Sequence, residues 1–263
     1  MRQKVRRSLL LFSMVLFPVT MNFLSPFVIV NASFEGVIAG SFLFFILLFV
    51  SSLLIGRAFC GWLCPAAGVQ EACFPMKSRR VRGRVLWIKY FIWIPWIAAI
   101  VLGAVTAGGY RRIDPLYFTD AGISVDNVYK LVIFIFVAGL FFVLSVTVGR
   151  RAACHTICWM APFMVMGKWV GRVLHIPSLR LNTAPSKCTG CKRCEVRCPM
   201  SLEVNAMVKK GSMTNRDCIL CGECVDACSD KVIAYGFGIS RASAGVKGRK
   251  VTQKEEPQDT ISC

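Results

Sequence analysis

Charge is absent from four long stretches of this 263-residue chain: residues 8–34, 36–56, 90–110 and 131–149, holding 27, 21, 21 and 19 residues. Runs of that length exclude an ordinary soluble domain, as does a composition that is 55% hydrophobic with mean hydropathy +0.57. Acidic side chains are scarce, 14 against 32 Lys and Arg, and there are two histidines. No residue set forms a hydrolytic triad, a phosphate-binding loop or a dinucleotide fingerprint. These absences remove the corresponding chemistries and leave no independent catalytic site in view.

Cysteine, by contrast, is abundant, with 14 in the chain. Eight fall in two runs of the form C-x2-C-x2-C-x3-C: Cys188, Cys191, Cys194, Cys198, and Cys218, Cys221, Cys224, Cys228. Three cysteines at this spacing wrap three corners of an iron–sulfur cube, and the fourth reaches to the neighbouring cluster. Two 4Fe-4S clusters are expected, one on Cys188, Cys191, Cys194 and Cys228, the other on Cys218, Cys221, Cys224 and Cys198. Zinc sites set two Cys pairs about a dozen or more residues apart, and a disulfide framework needs an oxidising compartment. Ser229 stands where the first run has Pro199, which loosens the second turn without removing a ligand.

At about 1.5 Å per residue, each uncharged stretch is long enough for a bilayer core of about 30 Å, so four transmembrane helices are expected. The first follows Met1-Arg-Gln-Lys-Val-Arg-Arg7. Its apolar run exceeds a signal-peptide core, which favours an uncleaved anchor over cleavage after Val30-Asn31-Ala32. Pro18 and Pro26 predict a kink there or a frayed outer end. Bases gather at alternate ends: four in the N-terminal tail, seven in 57–89 and five in 150–180, against none in 31–36. In 111–130, Arg111, Arg112 and Lys130 are balanced by Asp114, Asp120 and Asp126. The positive-inside rule puts both termini in the cytoplasm of a multi-pass inner-membrane protein, where thiolate clusters also survive. The bases flank spans and do not line an aromatic-studded face, so membrane lipid, not nucleic acid, is their expected partner.

A repeat marks the membrane part. Gly56-Arg-Ala-Phe-Cys60-Gly-Trp-Leu-Cys64-Pro65 follows the second stretch, and Gly149-Arg-Arg-Ala-Ala-Cys154-His-Thr-Ile-Cys158-Trp-Met-Ala-Pro162 follows the fourth. Residues four apart share a helix face, so each C-x3-C is expected to aim two thiols at a common point. Cys60, Cys64, Cys154 and Cys158 together would suit a further iron–sulfur centre, a soft metal ion or a redox-active dithiol; buried free thiols are the alternative. His155 is either a ligand there or an interface residue. Met160, Met164 and Met166 suggest either copper(I) or the packing face of an interfacial helix over 159–174, with Lys168 and Arg172 opposite. Cys73 and Cys263 belong to no motif.

The combination of Arg57-Ala-Phe-Cys-Gly-Trp-Leu-Cys-Pro65, a second C-x3-C and an eight-iron ferredoxin tail resembles the NapH/NosR/CcoG superfamily of membrane-bound polyferredoxins. The architecture is nearest the NapH type, since the short outer loops leave no room for the periplasmic extensions of the other two. The resemblance, over residues ~1–235, implies a quinol-linked role beside nitrate reductase for NapH types. For CcoG types it implies work in cytochrome oxidase assembly.

The expected fold is thus an α-helical membrane protein, four helices in two tandem pairs each ending in a C-x3-C, with a C-terminal α+β two-cluster ferredoxin domain. The boundaries are 1–180 for the membrane domain, 181–235 for the ferredoxin domain and 236–263 for a disordered tail. Electron transfer between a cytoplasmic redox partner and the membrane is the leading expectation, with quinone the natural membrane acceptor or donor. Metal handling, such as copper reduction, and redox-responsive regulation are the alternatives. Lys187, Lys192, Arg193 and Arg197 offer a dock for an acidic carrier, or simply solubility. Trp87, Trp93 and Trp96 read as interface and packing groups.

Overall fold

The computed structural model describes residues 1–74, 79–81, 87–119 and 122–239. Helix α1 (Arg2–Val15) starts inside the basic N-terminal segment. Beyond it the first apolar stretch is broken into α2 (Phe17–Thr20), a 3₁₀ turn (Asn22–Leu24) and α3 (Pro26–Phe34). Pro18 and Pro26 cause the breaks, each sitting in the first turn of a new helix, where its missing N–H costs nothing. Strand β1 (Val37–Ala39) leads into α4 (Gly40–Ile55), whose 16 residues span about 24 Å. The motif helices α5 (Ala58–Trp62) and α6 (Pro65–Ala72) follow.

The second half repeats this order. Helix α7 (Ile88–Thr106) leads to β2 (Arg112–Asp114), which pairs in parallel with β1, then α8 (Val128–Thr147). Motif helices α9 (Ala152–Thr156) and α10 (Met160–Val173) close it. Of the four expected spans, α7 and α8 are single helices long and apolar enough to cross a bilayer among the described residues. Only 11% of each apolar window is buried, whereas a soluble core helix would be mostly covered.

The two halves exchange their last helices. Helix α6 packs against α1 and α8, while α10 runs along α4. Small residues permit the approach: a Cβ at Gly68 would lie 2.7 Å from the Leu10 carbonyl, and one at Gly167 the same distance from the Phe49 carbonyl. Each motif is thereby carried toward the other.

Strand β3 (Ser178–Thr183) pairs antiparallel with β4 (Ile233–Gly238), Leu181 facing Tyr235. Between them lie α11 (Arg193–Val196), α12 (Val204–Lys209) and α13 (Glu223–Asp226). The β3–β4 pair brackets both cysteine runs and extends past both ends of the expected 181–235 region; residues 236–238, expected in the tail, complete β4. Residues 240–263, the rest of that tail with Cys263, lie outside the described residues. A single hydrophobic core joins Leu10, Phe45, Cys60, Cys154 and Met164 of the helical part to Val204, Ile219 and Ile233 of the ferredoxin-like part.

Candidate iron–sulfur centres

The cysteines of the two runs line two recesses. One gathers Cys188, Cys191, Cys194 and Cys228. The other gathers Cys198, Cys218, Cys221 and Cys224. Each takes three cysteines from one run and the fourth from the other.

The backbone curls identically in both runs. Residues on either side of the second cysteine are left-handed, Gly190 (φ 78°) and Lys192 (56°) in the first run, Leu220 (52°) and Gly222 (79°) in the second. So is the third residue after each fourth cysteine, Ser201 and Lys231. Turns that alternate right- and left-handed residues point successive N–H groups into an anion-binding concavity, and a cube carrying four thiolates is anionic. Burial pushes the Cys194 thiol up to about 11 and the Cys221 thiol up to about 12, so thiolates there need a cationic partner at neutral pH. An all-sulfur donor set of four in each recess fits an iron–sulfur cube. Among the described residues no three His, Cys, Asp or Glu converge as they would on a single ion.

The structure also brings the two C-x3-C motifs together, though not on one helix face each. Cys60 lies in α5, and Cys64 is extended (ψ 121°) as the N-cap of α6. Pro65 enforces this, since a residue before proline is excluded from helical geometry. The second motif closes in the same way without that proline: the N–H of Cys158 reaches the Ala153 carbonyl at 3.1 Å, as that of Cys64 reaches Phe59 at 3.1 Å. Burial raises the Cys64 thiol, and neighbouring Cys60, Cys154 and Cys158 raise it further. Burial lifts Cys158 to about 12, with Cys154 and Cys60 adding to it.

Each motif braces the other. Gln70 of α6 donates to the Cys154 sulfur at 3.3 Å and accepts the Ala153 N–H at 3.0 Å. Arg151 donates to the Cys60 carbonyl at 2.7 Å. Met164 sets its sulfur 3.5 Å from that of Cys60. Against the ferredoxin-like part, Trp62 donates to the Leu220 carbonyl at 3.1 Å, and a Cβ at Gly61 would lie 2.4 Å from the Ile219 carbonyl. The first motif therefore rests directly on the loop that carries Cys218 and Cys221.

Four cations that the sequence suggested would face headgroups are buried instead. Arg6, Arg57, Lys89 and Arg151 are each at most 1% exposed. Arg6 meets Glu71 at 2.8 Å and Glu223 at 3.0 Å, Arg151 meets Glu71, and Asp217 takes Lys89 at 2.6 Å and Arg57 at 3.2 Å. Although burial opposes it, Arg151 and Arg6 hold the Glu71 carboxyl below the usual range. The signal in the sequence was Gly-Arg ahead of each motif, and a few acids placed beside cysteines.

His155 lines a separate cavity with Asp217 and Arg172, and burial lowers it to about 4, leaving it neutral. Met160 and Met164 of α10 are buried, Lys168 donates to the Asn215 carbonyl at 2.9 Å, and Cys73 is buried against α6. Trp93 and Trp96 pack on Phe163, and Trp87 is exposed beneath Arg216. Lys187, Lys192, Arg193 and Arg197 are all exposed.

Residues 37–84 match the family described as "4Fe-4S binding domain", a segment that holds Cys60 and Cys64, and residues 187–233 match "4Fe-4S dicluster domain". The ferredoxin-type protein NapH of Escherichia coli is 27% identical over 202 residues, 73% of this chain and 64% of that protein. The putative electron transport protein YccM of the same organism is 26% identical over 218 residues, 76% of this chain and 56% of its own. An uncharacterized protein of Methanocaldococcus jannaschii is 23% identical over 211 residues, 75% and 79% of the two chains. No solved structure matches. Two 4Fe-4S segments on one chain, with relatives of the NapH and YccM kind, make this protein similar to the NapH-type polyferredoxins.

Proposed function

We propose that this chain is the iron–sulfur electron-transfer subunit of a membrane redox complex, linking a cytoplasmic carrier to the quinone pool. The one-electron chemistry is supplied by the bound clusters. The chain's own residues fix where electrons can enter and leave. The observation that carries the reading is the seating of Gly61 on the Ile219–Cys221 backbone, which abuts the C-x3-C cysteines on the second recess. Three sulfur sites then lie in sequence: Cys188/191/194/228, Cys218/221/224/198, and Cys60/64/154/158 as a third centre.

Several features support the two ends of this route. Exposed Lys187, Lys192, Arg193 and Arg197 border the first site and suit an acidic carrier. At the other end, Cys64 opens on an apolar crevice between Phe17, Leu24, Ile133, Phe141 and Trp159, a fit for a quinone ring. The apolar exterior of α7 and α8 supports membrane insertion. The Arg2–Asp226 pair ties the N-terminus to the ferredoxin-like side, in keeping with four crossings and both termini cytoplasmic. Copper handling is a second reading, favoured by the Cys60–Met164 sulfur contact.

The test is anaerobic iron and acid-labile sulfide content with EPR, on the intact protein and on a Cys60, Cys64, Cys154, Cys158→Ser variant. More than about eight irons, falling to about eight in the variant, is expected. Equal content in both removes the third centre, copper(I) bound at the four cysteines supports the second reading, and fewer than about eight in fully loaded protein overturns the two-cluster assignment.

A further inference from the structure

Where the ferredoxin-like part meets the second motif there is a cavity of about 720 Å3 that no cysteine lines. Its floor is buried and polar, with His155, Ser201 and Asp217. Its mouth carries three exposed cations: Arg172 from α10, Lys210 after α12, and Arg216.

Hydrogen bonding in this floor is incomplete. His155 is 1% exposed, and neither ring nitrogen has a partner among the described residues. In either protonation state an imidazole carries at least one N–H donor, and leaving it unmet in a buried place is costly. Ser201 accepts the Val81 N–H at 3.3 Å and Ser212 the Thr214 N–H at 3.5 Å, so each hydroxyl proton is left to donate. The acceptors are already taken. Asp217 pairs with Lys89 and Arg57, the Asn215 side-chain oxygen accepts the Asp217 N–H at 2.8 Å, and Glu203 is itself engaged. Unspent donors on the floor below a ring of cations call for a ligand rich in acceptors and negatively charged.

We propose that this cavity binds a phosphate group, its charge held by Arg172, Lys210 and Arg216 and one of its oxygens accepting from His155. The phosphate belongs either to a free ion or to a lipid headgroup. The proposal goes beyond the electron-transfer reading and does not rest on it.

Calorimetric titration of the intact, cluster-loaded protein in detergent with inorganic phosphate tests the first source. Binding to vesicles of phosphatidylcholine with and without phosphatidylglycerol tests the second. A single saturable site is expected in one arm, weakened about tenfold or more by Arg172→Gln with Lys210→Gln. The control Lys209→Gln leaves it unchanged, and equal iron content shows each variant folded. With two histidines in the chain, the imidazole resonance of His155 is expected to move on binding while that of exposed His175 stays. Saturable binding in neither arm, binding indifferent to the Arg172/Lys210 change, or an unmoved His155 resonance overturns the proposal.

Discussion

Glu71 is the carboxylate on which two buried arginines depend, and Glu71→Gln removes its charge with little change in volume. Arg6 keeps the carboxylate of Glu223 at 3.0 Å and Gln3 at 2.6 Å, whereas Arg151, fully buried, keeps the Cys60 carbonyl at 2.7 Å but no other carboxylate among the described residues. The loss therefore falls on Arg151, a cation stranded beside the C-x3-C cysteines. Removing one partner of a buried pair costs about 3–5 kcal/mol. For a chain of this size that corresponds to a fall in Tm of about 6–20 °C. The assay is anaerobic thermal unfolding in detergent followed by tryptophan fluorescence. The companion variant, Glu71→Leu with Arg151→Leu, removes both charges and is expected to regain much of the loss, because an apolar pair carries no desolvation penalty. A single variant melting within about 2 °C of the parent, or a double variant melting below the single, would refute the reasoning.

Other perturbations give separate readouts. Gly61→Ala places a Cβ 2.4 Å from the Ile219 carbonyl, and is expected to displace the loop bearing Cys218 and Cys221, altering that cluster's EPR signal while sparing the other. Cys198→Ser is expected to perturb the same signal as Cys218→Ser; coincidence with the Cys188→Ser signal would reverse the pairing. Glu71 has its folded pKa below the ordinary 4.5. Its contribution is complete above that value and is lost as pH falls through the depressed folded pKa, so Glu71→Gln should flatten the acid limb of a Tm–pH profile. An acid limb of unchanged slope would assign it to other carboxylates.

The ferredoxin-like part was largely legible because a cube's corners dictate cysteine spacing, whatever the chain does between them. The apolar stretches were legible as composition but not as helices: Pro18 and Pro26 announced a kink or a frayed end, whereas the chain starts a new helix at each of them. The motif geometry was misjudged from i,i+4 spacing, since Pro65 forces Cys64 out of the helix that holds Cys60. That the two motifs come together depends on a helix exchange that no local pattern announces. Buried cations were least legible. A flank of Arg and Lys looks the same whether it meets lipid or Glu71, Asp217 and Glu223, acids that lie far away in the chain.

The exchanged helices impose an order on biosynthesis. Since α6 leans on α8 and α10 on α4, neither repeat is a finished object, and a nascent chain holds an open first motif until its fourth long helix has emerged. Closure of the motif around Cys60 and Cys64 is thus timed by translation to follow α8. A chain truncated before Val128 is expected to leave both thiols open to alkylation, whereas in the whole protein both are buried; equal protection in the two would mean that the first repeat closes alone.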